Sequence, residues 1–343
     1  MHSNNQSILF HYGVSEWLSE PDAAFDTFLS GYRFNQRRLR ASSFAIYKGM
    51  FTRLRYWAEE QKLSLFELRE STLESFLDQR GLSAQTRHRY LLLFTSLFEQ
   101  LALIQAEQAI ETPTASSNPA RGLLLERQAP ERTDPDYLNQ DEVRRFIAAL
   151  PSGGNWKRVR DRALAVLVLG AGLRSSEALA LKISELQFKD RQISSLWVQA
   201  QKPHPARQVP LQLWAQEAVM AWLELRELLA NGKLPANARG KPQLLLGPLV
   251  FPSSLSGAAL NPLTLFRLVK ATLEAVGLEK RYEGPTLLRN SCGALWLQRH
   301  EPLQVSLWMG HATVRTTELL LPKAARRSPT QSTLASSRTA AGA

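Results

Sequence analysis

Gly170-Ala171-Gly172-Leu173-Arg174-Ser175-Ser176-Glu177-Ala178-Leu179-Ala180-Leu181 is the stretch on which the reading of this chain turns. It follows the apolar run Ala163 to Leu169, and two glycines interrupt the pattern before an arginine opens a new helical segment. A glycine turn that presents an arginine at a helix N-terminus combines a guanidinium fork with free backbone N–H groups, and the pair suits a phosphate. The same residues equally fit an ordinary helical corner in which Arg174 and Glu177 form a salt bridge.

Three further segments lie downstream in a fixed order. The first is a hairpin-like stretch, with Ile193 to Gln199, a turn around Lys202-Pro203-His204-Pro205, and then Arg207-Gln208-Val209-Pro210-Leu211. The second is Pro285-Thr286-Leu287-Leu288-Arg289, and the third is Leu307-Trp308-Met309-Gly310-His311-Ala312-Thr313-Val314-Arg315-Thr316-Thr317. Each alone is weak, since Lys202 fits a solvated turn and leucines fit packing.

In this order the segments resemble the tyrosine recombinases, the phage-integrase and Xer-like family. That family carries a Thr-Gly-Leu-Arg-x-Ser-Glu turn, a hairpin lysine, a His-x-Leu-Arg segment and a Leu-Gly-His segment. The resemblance implies that Arg174 and Arg289 clamp the scissile phosphate, that Lys202 is the general acid and that His311 hydrogen-bonds the phosphate. Two arginines on one phosphate would offset the negative charge gained in a pentacoordinate transition state.

Two departures bear on function. The family's proton-transfer histidine aligns with Thr286, whose hydroxyl does not take up a proton near neutral pH. The nucleophilic tyrosine is expected nine residues after His311, and that position is Leu320. The last tyrosine of the chain is Tyr282, so no small shift of alignment supplies another. Leu319, Leu320 and Leu321 read as packing residues.

Outward from these motifs, the 343 residues are enough for two domains, and 44% hydrophobic content suffices for two cores. The net charge of +11 suits a polyanionic partner. The expected fold class is mainly α with a small β-sheet. Residues 1–15 read as an N-terminal segment and 16–110 as a helical, SAM-like core-binding domain. Then come a linker over 111–136, a recombinase-like catalytic domain over 137–321 and a disordered basic tail over 322–343.

The periodicity predicts helices near 16–30, 41–61, 66–79 and 84–104, then near 140–150, 156–169, 175–183, 212–230, 262–276, 286–299, 303–309 and 313–320. Asn139 and Glu142 are spaced as a capping box. In the first domain Arg37, Arg38, Arg40, Lys48, Arg87 and Arg89 are candidate DNA contacts, although such clusters are also common on solvated helix faces.

The lone Cys292 reads as a core residue. With no second cysteine and no His pair at ligand spacing, neither a metal nor a cofactor is expected. No apolar run is long enough to span a bilayer, and the N-terminus lacks the build of a secretory signal, so cytoplasm is the expected compartment.

The resemblance implies double-stranded DNA as partner, a homo- or hetero-oligomer on it, and active recombinases encoded nearby. It favours a cleavage-deficient accessory or regulator of DNA integration. The alternatives are an active recombinase with an unconventional or in-trans nucleophile, and a non-functional remnant of a mobile element.

Overall fold

A computed structural model describes residues 13–34, 37–39, 41–108, 118–126, 134–201, 204–232 and 244–326. The chain divides into two compact units, Met1–Arg132 and Thr133–Ala343.

The first unit is helical. Its elements are α1 (Val14–Ser19), α2 (Pro21–Gly31), a two-residue antiparallel pair β1 (Arg33–Phe34) and β2 (Arg37–Arg38), α3 (Ala41–Glu60), α4 (Glu70–Asp78), α5 (Ala84–Gln108) and α6 (Arg121–Glu126). The single helix expected near 16–30 is two, because Pro21 has no N–H for a continuous ladder and starts α2 instead. Phe25 and Phe51 stack at 3.9 Å between centroids in the core, and Phe76 meets Trp57 edge to face. Such ring pairs join aromatic positions that recur at helical spacing.

Residues 118–126, expected in a linker, are folded. Asn118 Nδ2 donates to the Thr95 carbonyl at 2.7 Å, and Leu123 of α6 is buried in the same core as α5. Polar, proline-punctuated flanks concealed this short apolar turn.

The second unit comprises α7 (Gln140–Ala149), α8 (Trp156–Ala171), α9 (Ser175–Ala180), β3 (Leu186–Lys189), β4 (Gln192–Val198), β5 (Arg207–Pro210), α10 (Leu213–Ala230), α11 (Pro262–Ala275), α12 (Pro285–Trp296), α13 (Pro302–Met309) and α14 (Val314–Glu318). The chain is therefore mainly helical with one small sheet of three antiparallel strands in the order β3-β4-β5, as its fold class was read. Helix α7 begins at the expected capping box, with Asn139 accepting from the N–H groups of Asp141 and Glu142 while Glu142 accepts from that of Asn139.

Strand β3 has no counterpart in the sequence reading. It joins β4 through Asp190 and Arg191, both at positive φ, without the Asn-Gly or Asp-Gly pair that marks such turns. Only Leu186 of its four residues is buried, so the alternation is faint. The helix expected over 175–183 stops at Ala180, where the chain turns to let Ile183 N–H donate to the Pro248 carbonyl.

Helix α8 is the hub of this unit, buried on all sides from Ala163 to Ala171 and packed against α10 and α12. Continuous apolar sequence is what such a central helix requires.

The chain termini depart from the expected segments. Val14 already belongs to α1, inside the segment assigned to 1–15. Residues 322–326, assigned to a disordered tail, include a short 3-10 turn, Lys323–Ala325, and are held by Arg326. Its guanidinium donates to Asp134 at 2.6 Å and to the carbonyls of Leu319 and Leu321 at 2.9 Å. The rest of that tail, 327–343, lies outside the described residues.

Candidate phosphate site

Four arms of the second unit bring Arg174, Arg207, Arg289 and His311 together: the α8–α9 corner, strand β5, helix α12 and the α13–α14 corner. Two glycines make the corners possible. Gly172 ends α8 at φ +59°, and a Cβ there would meet Cys292 and Trp296 at 3.3 Å. Gly310 ends α13 at φ +62°, and a Cβ there would lie 3.0 Å from the Arg207 guanidinium. Glycine alone takes this backbone without strain and leaves room for those neighbours.

The turn carbonyls then hold the arginines. Arg289 donates from Nη1 to the Gly172 carbonyl and from Nη2 to that of Met309, the latter at 2.5 Å. Arg174 donates from Nη2 to the Gly310 carbonyl at 2.6 Å and from Nη1 to Glu177 at 2.8 Å. Arg207 donates to the Trp308 carbonyl at 2.8 Å and grips Glu177 with both terminal nitrogens, at 2.9 and 2.8 Å.

The helical corner with its Arg174–Glu177 salt bridge is therefore present. Arg174 forms the salt bridge with Glu177 and keeps a quarter of its side chain exposed. Arg207 is the residue the sequence reading passed over, although it stands in the quoted hairpin. Nothing in its neighbourhood in sequence distinguishes a buried ion-pair arginine from a solvated one on a strand.

The charge balance is positive. Among the described residues Glu177 is the one carboxylate hydrogen-bonded to any of these three arginines, binding Arg174 and Arg207. Burial opposes its charge, yet hydrogen bonds from Arg207 and from the Arg174 backbone and side chain hold the carboxyl at about 2. Arg289 has no carboxylate on its guanidinium, and burial with Arg174 close by lowers it to about 9, which leaves it charged at neutral pH.

His311 feels the same field. Burial first, then Arg289, Arg174 and Arg207, lower it to about 3, so the ring is neutral at physiological pH. Its Nδ1 lies 2.8 Å from the hydroxyl of the fully buried Thr317, which orients the ring.

The remaining candidates lie as follows. Lys202 falls outside the described residues, while its neighbours Gln201 and His204 pair backbone to backbone across the turn. Thr286 is exposed in the first turn of α12. Leu320 is 2% exposed and packs in the core with Met309 beside Gly293, as a packing residue should. Cys292 is buried as expected, and burial raises its thiol. Among the described residues no group of three or more His, Cys, Asp or Glu could hold a metal ion, and no helix is long and apolar enough to cross a membrane.

In the first unit, Arg37 and Arg38 occupy β2, and Arg40 lies outside the described residues. Lys48 is half-exposed and pairs with Asp26 at 2.5 Å, and Arg89 is exposed. Arg87 departs from the cluster reading. It is 7% exposed and donates to Asp78, with Glu74 3.8 Å away, so it braces α4 against α5 and is not presented to a polyanion.

Comparison with known proteins agrees with this architecture. The tyrosine recombinase XerD of Corynebacterium glutamicum is 28% identical over 296 residues, which cover 83% of this chain and 88% of that protein. The XerH site-specific recombinase bound to its difH substrate in a pre-cleavage complex shares the fold, with a TM-score of 0.60 at 22% identity over 81% of this chain and 76% of that one. So does a lambda integrase dimer bound to a COC' core site, with a TM-score of 0.61 at 15% identity over 92% and 79%. The profile of the phage integrase family matches residues 136–321, more than half of the chain and the whole of the arginine-lined site, and the chain belongs to that family, the tyrosine recombinases.

Proposed function

We propose that this protein binds double-stranded DNA and acts in DNA integration or site-specific recombination as an accessory or regulatory partner, without cutting the strand itself. Arg174 and Arg289, with His311 as a neutral hydrogen-bonding group and with Lys202, form the phosphate grip. Arg37, Arg38, Arg40, Lys48 and Arg89 of the first unit add backbone contacts. Active recombinases encoded nearby are the natural partners, in a homo- or hetero-oligomer on DNA.

The observation that carries this reading is the contrast between Leu320 and its surroundings. At the position where the family's nucleophile is expected stands an apolar side chain sealed in the core. It has no atom able to attack phosphorus. In the same unit, three arginines with a single carboxylate among them leave a net positive site whose charge a phosphate would partly offset. Loss of the attacking group beside retention of the anion-binding groups favours holding over cutting.

The test is incubation with nicked suicide duplexes carrying the protein's own footprinted site. The expected result is salt-sensitive binding with no covalent protein–DNA adduct. An adduct that survives denaturing gel electrophoresis would overturn the cleavage-deficient reading.

A further inference from the structure

The second unit carries an open groove of about 740 Å³, and none of Arg174, Arg207, Arg289 and His311 lines it. Its walls come from helix α7, the start of α10 and the C-terminal ends of α12 and α13. On α7 the lining residues Gln140, Val143, Arg144, Ile147 and Ala148 follow at three- and four-residue spacing, so one face of that helix forms a wall. From Gln140 to Ala148 the helix rises about 12 Å, the length over which a facing helix presents anchors at i, i+4 and i+7.

The other walls are aromatic. Trp214, Trp296 and Trp308 all reach the groove, the last two with ring centroids 5.2 Å apart, and the His300 ring meets Trp308 edge to face at 4.8 Å. Leu213 is 79% exposed and Trp214 40%. The Trp214 indole N–H donates to Gln212 Oε1 at 2.9 Å, so its one polar atom is satisfied within the chain and the ring is offered as apolar surface. A single exposed leucine is ordinary, whereas apolar side chains gathered in one concave surface mark a contact.

Charge selects among the possible occupants. Among the described residues that line the groove, the charged ones are Arg144 and Arg299, both exposed, and none is an acid. A nucleic-acid backbone would pair with these arginines and leave the apolar walls in water. An uncharged apolar partner would take Arg299 out of water with no counter-charge. An amphipathic helix with carboxylates beside its apolar stripe meets both demands.

We propose that this groove is a docking site for an acidic amphipathic helix of a partner protein. The apolar stripe of that helix packs between α7 and Trp214, and its carboxylates pair with Arg144 and Arg299. The docking site goes beyond the DNA-binding reading and does not depend on it.

The test uses two synthetic helices of about five turns with the same Leu and Trp stripe, one with glutamates and the other with lysines on the polar face. Each is labelled and titrated with the full chain by fluorescence anisotropy. The glutamate helix is expected to bind and the lysine helix to bind at least about tenfold more weakly. Truncating a central anchor weakens such contacts about tenfold to a hundredfold, and Leu213→Asp and Trp214→Ala are expected to do so. Arg299→Glu is expected to weaken the glutamate helix and strengthen the lysine helix. Lys189→Glu, exposed on β3 and outside the groove, is expected to leave both unchanged, which separates docking from attraction to the net charge of +11.

No binding of the glutamate helix, equal binding of the two helices, or equal losses in Arg299→Glu and Lys189→Glu overturn the proposal. So does a Leu213→Asp protein that binds the glutamate helix like wild type. If Leu213→Asp and Arg299→Glu lower affinity for DNA and not for the helix, the groove belongs to nucleic acid. If sedimentation shows that Leu213→Asp dissociates an oligomer of the free chain, it belongs to a second copy. Thermal melting at the wild-type temperature shows that each variant keeps its fold.

Discussion

Glu177→Gln perturbs the site at its most heavily bonded atom pair. The Glu177 side chain is 2% exposed and Arg207 8%, and the carboxylate accepts three guanidinium hydrogen bonds as well as the Arg174 backbone N–H. The amide keeps the shape but removes the negative charge, so Arg207 is left buried without a counter-charge beside Arg174 and Arg289. Breaking one partner out of a buried pair costs about 3–5 kcal/mol, a large part of the roughly 5–15 kcal/mol that holds a typical domain.

Equilibrium urea unfolding followed by tryptophan fluorescence reads the loss, because six of the eight tryptophans lie after residue 133. Glu283→Gln is the control: its partner Lys270 is 45% exposed, and an exposed pair contributes at most about 1 kcal/mol. The direction with pH follows from the depressed carboxyl. The stabilisation from Glu177 is fully present above its ordinary value of 4.5 and is lost as pH falls through about 2, so acid unfolding is less steep in Glu177→Gln. A Glu177→Gln protein no less stable than Glu283→Gln would refute the account of this site as an over-charged cluster held by one carboxylate.

Other outcomes follow from individual contacts. His311, lowered to about 3 in the folded chain, stays neutral while the unfolded chain takes up a proton below 6.5, so stability falls between those two pH values by up to about 1.4 kcal/mol per unit, and His311→Gln removes that part of the slope in denaturant titrations. Gly293→Ala places a methyl 2.5 Å from Met309 Sδ and 2.6 Å from Leu320 Cδ1, and overpacking of this kind costs about 1–3 kcal/mol. Combining it with Leu320→Ala should relieve part of that cost, and strictly additive losses would mean that the two sites are not packed together. Arg326→Ala frees the carbonyls of Leu319 and Leu321, and amide exchange over 319–326 should quicken while the rest of the unit is unchanged; equal protection in both proteins would show that the clasp does not hold the segment. In the first unit Arg89→Ala should lower the salt dependence of DNA binding by about one phosphate contact, whereas Arg87→Ala should reduce stability and leave that slope alone, and the opposite pattern would reverse their assignments.

Much of the architecture was legible from local pattern. A helix buried on every side declares itself as continuous apolar sequence, which is why α8 stands out, and the capping box at Asn139 and Glu142 marks the start of α7 because its hydrogen bonds close within four residues. Strand β3 and helix α6 were not legible. Each is short and takes its conformation from a neighbour, β4 in one case and α5 in the other.

The site divides along the same line. Sequence by itself determined the family, the two glycine corners with Arg174 and His311 beside them, and the leucine where a nucleophile is expected, since all of these are matters of residue identity and spacing. Tertiary structure alone decided which arginines share Glu177, that Arg207 is a buried brace and Arg87 another, and that Trp214, Trp296 and Trp308 line one groove. A guanidinium looks the same in sequence whether it is solvated or buried. In this site its role is set by the carboxylates and carbonyls that come to it from elements up to 136 residues away in the chain, as the Arg174 to Gly310 hydrogen bond shows.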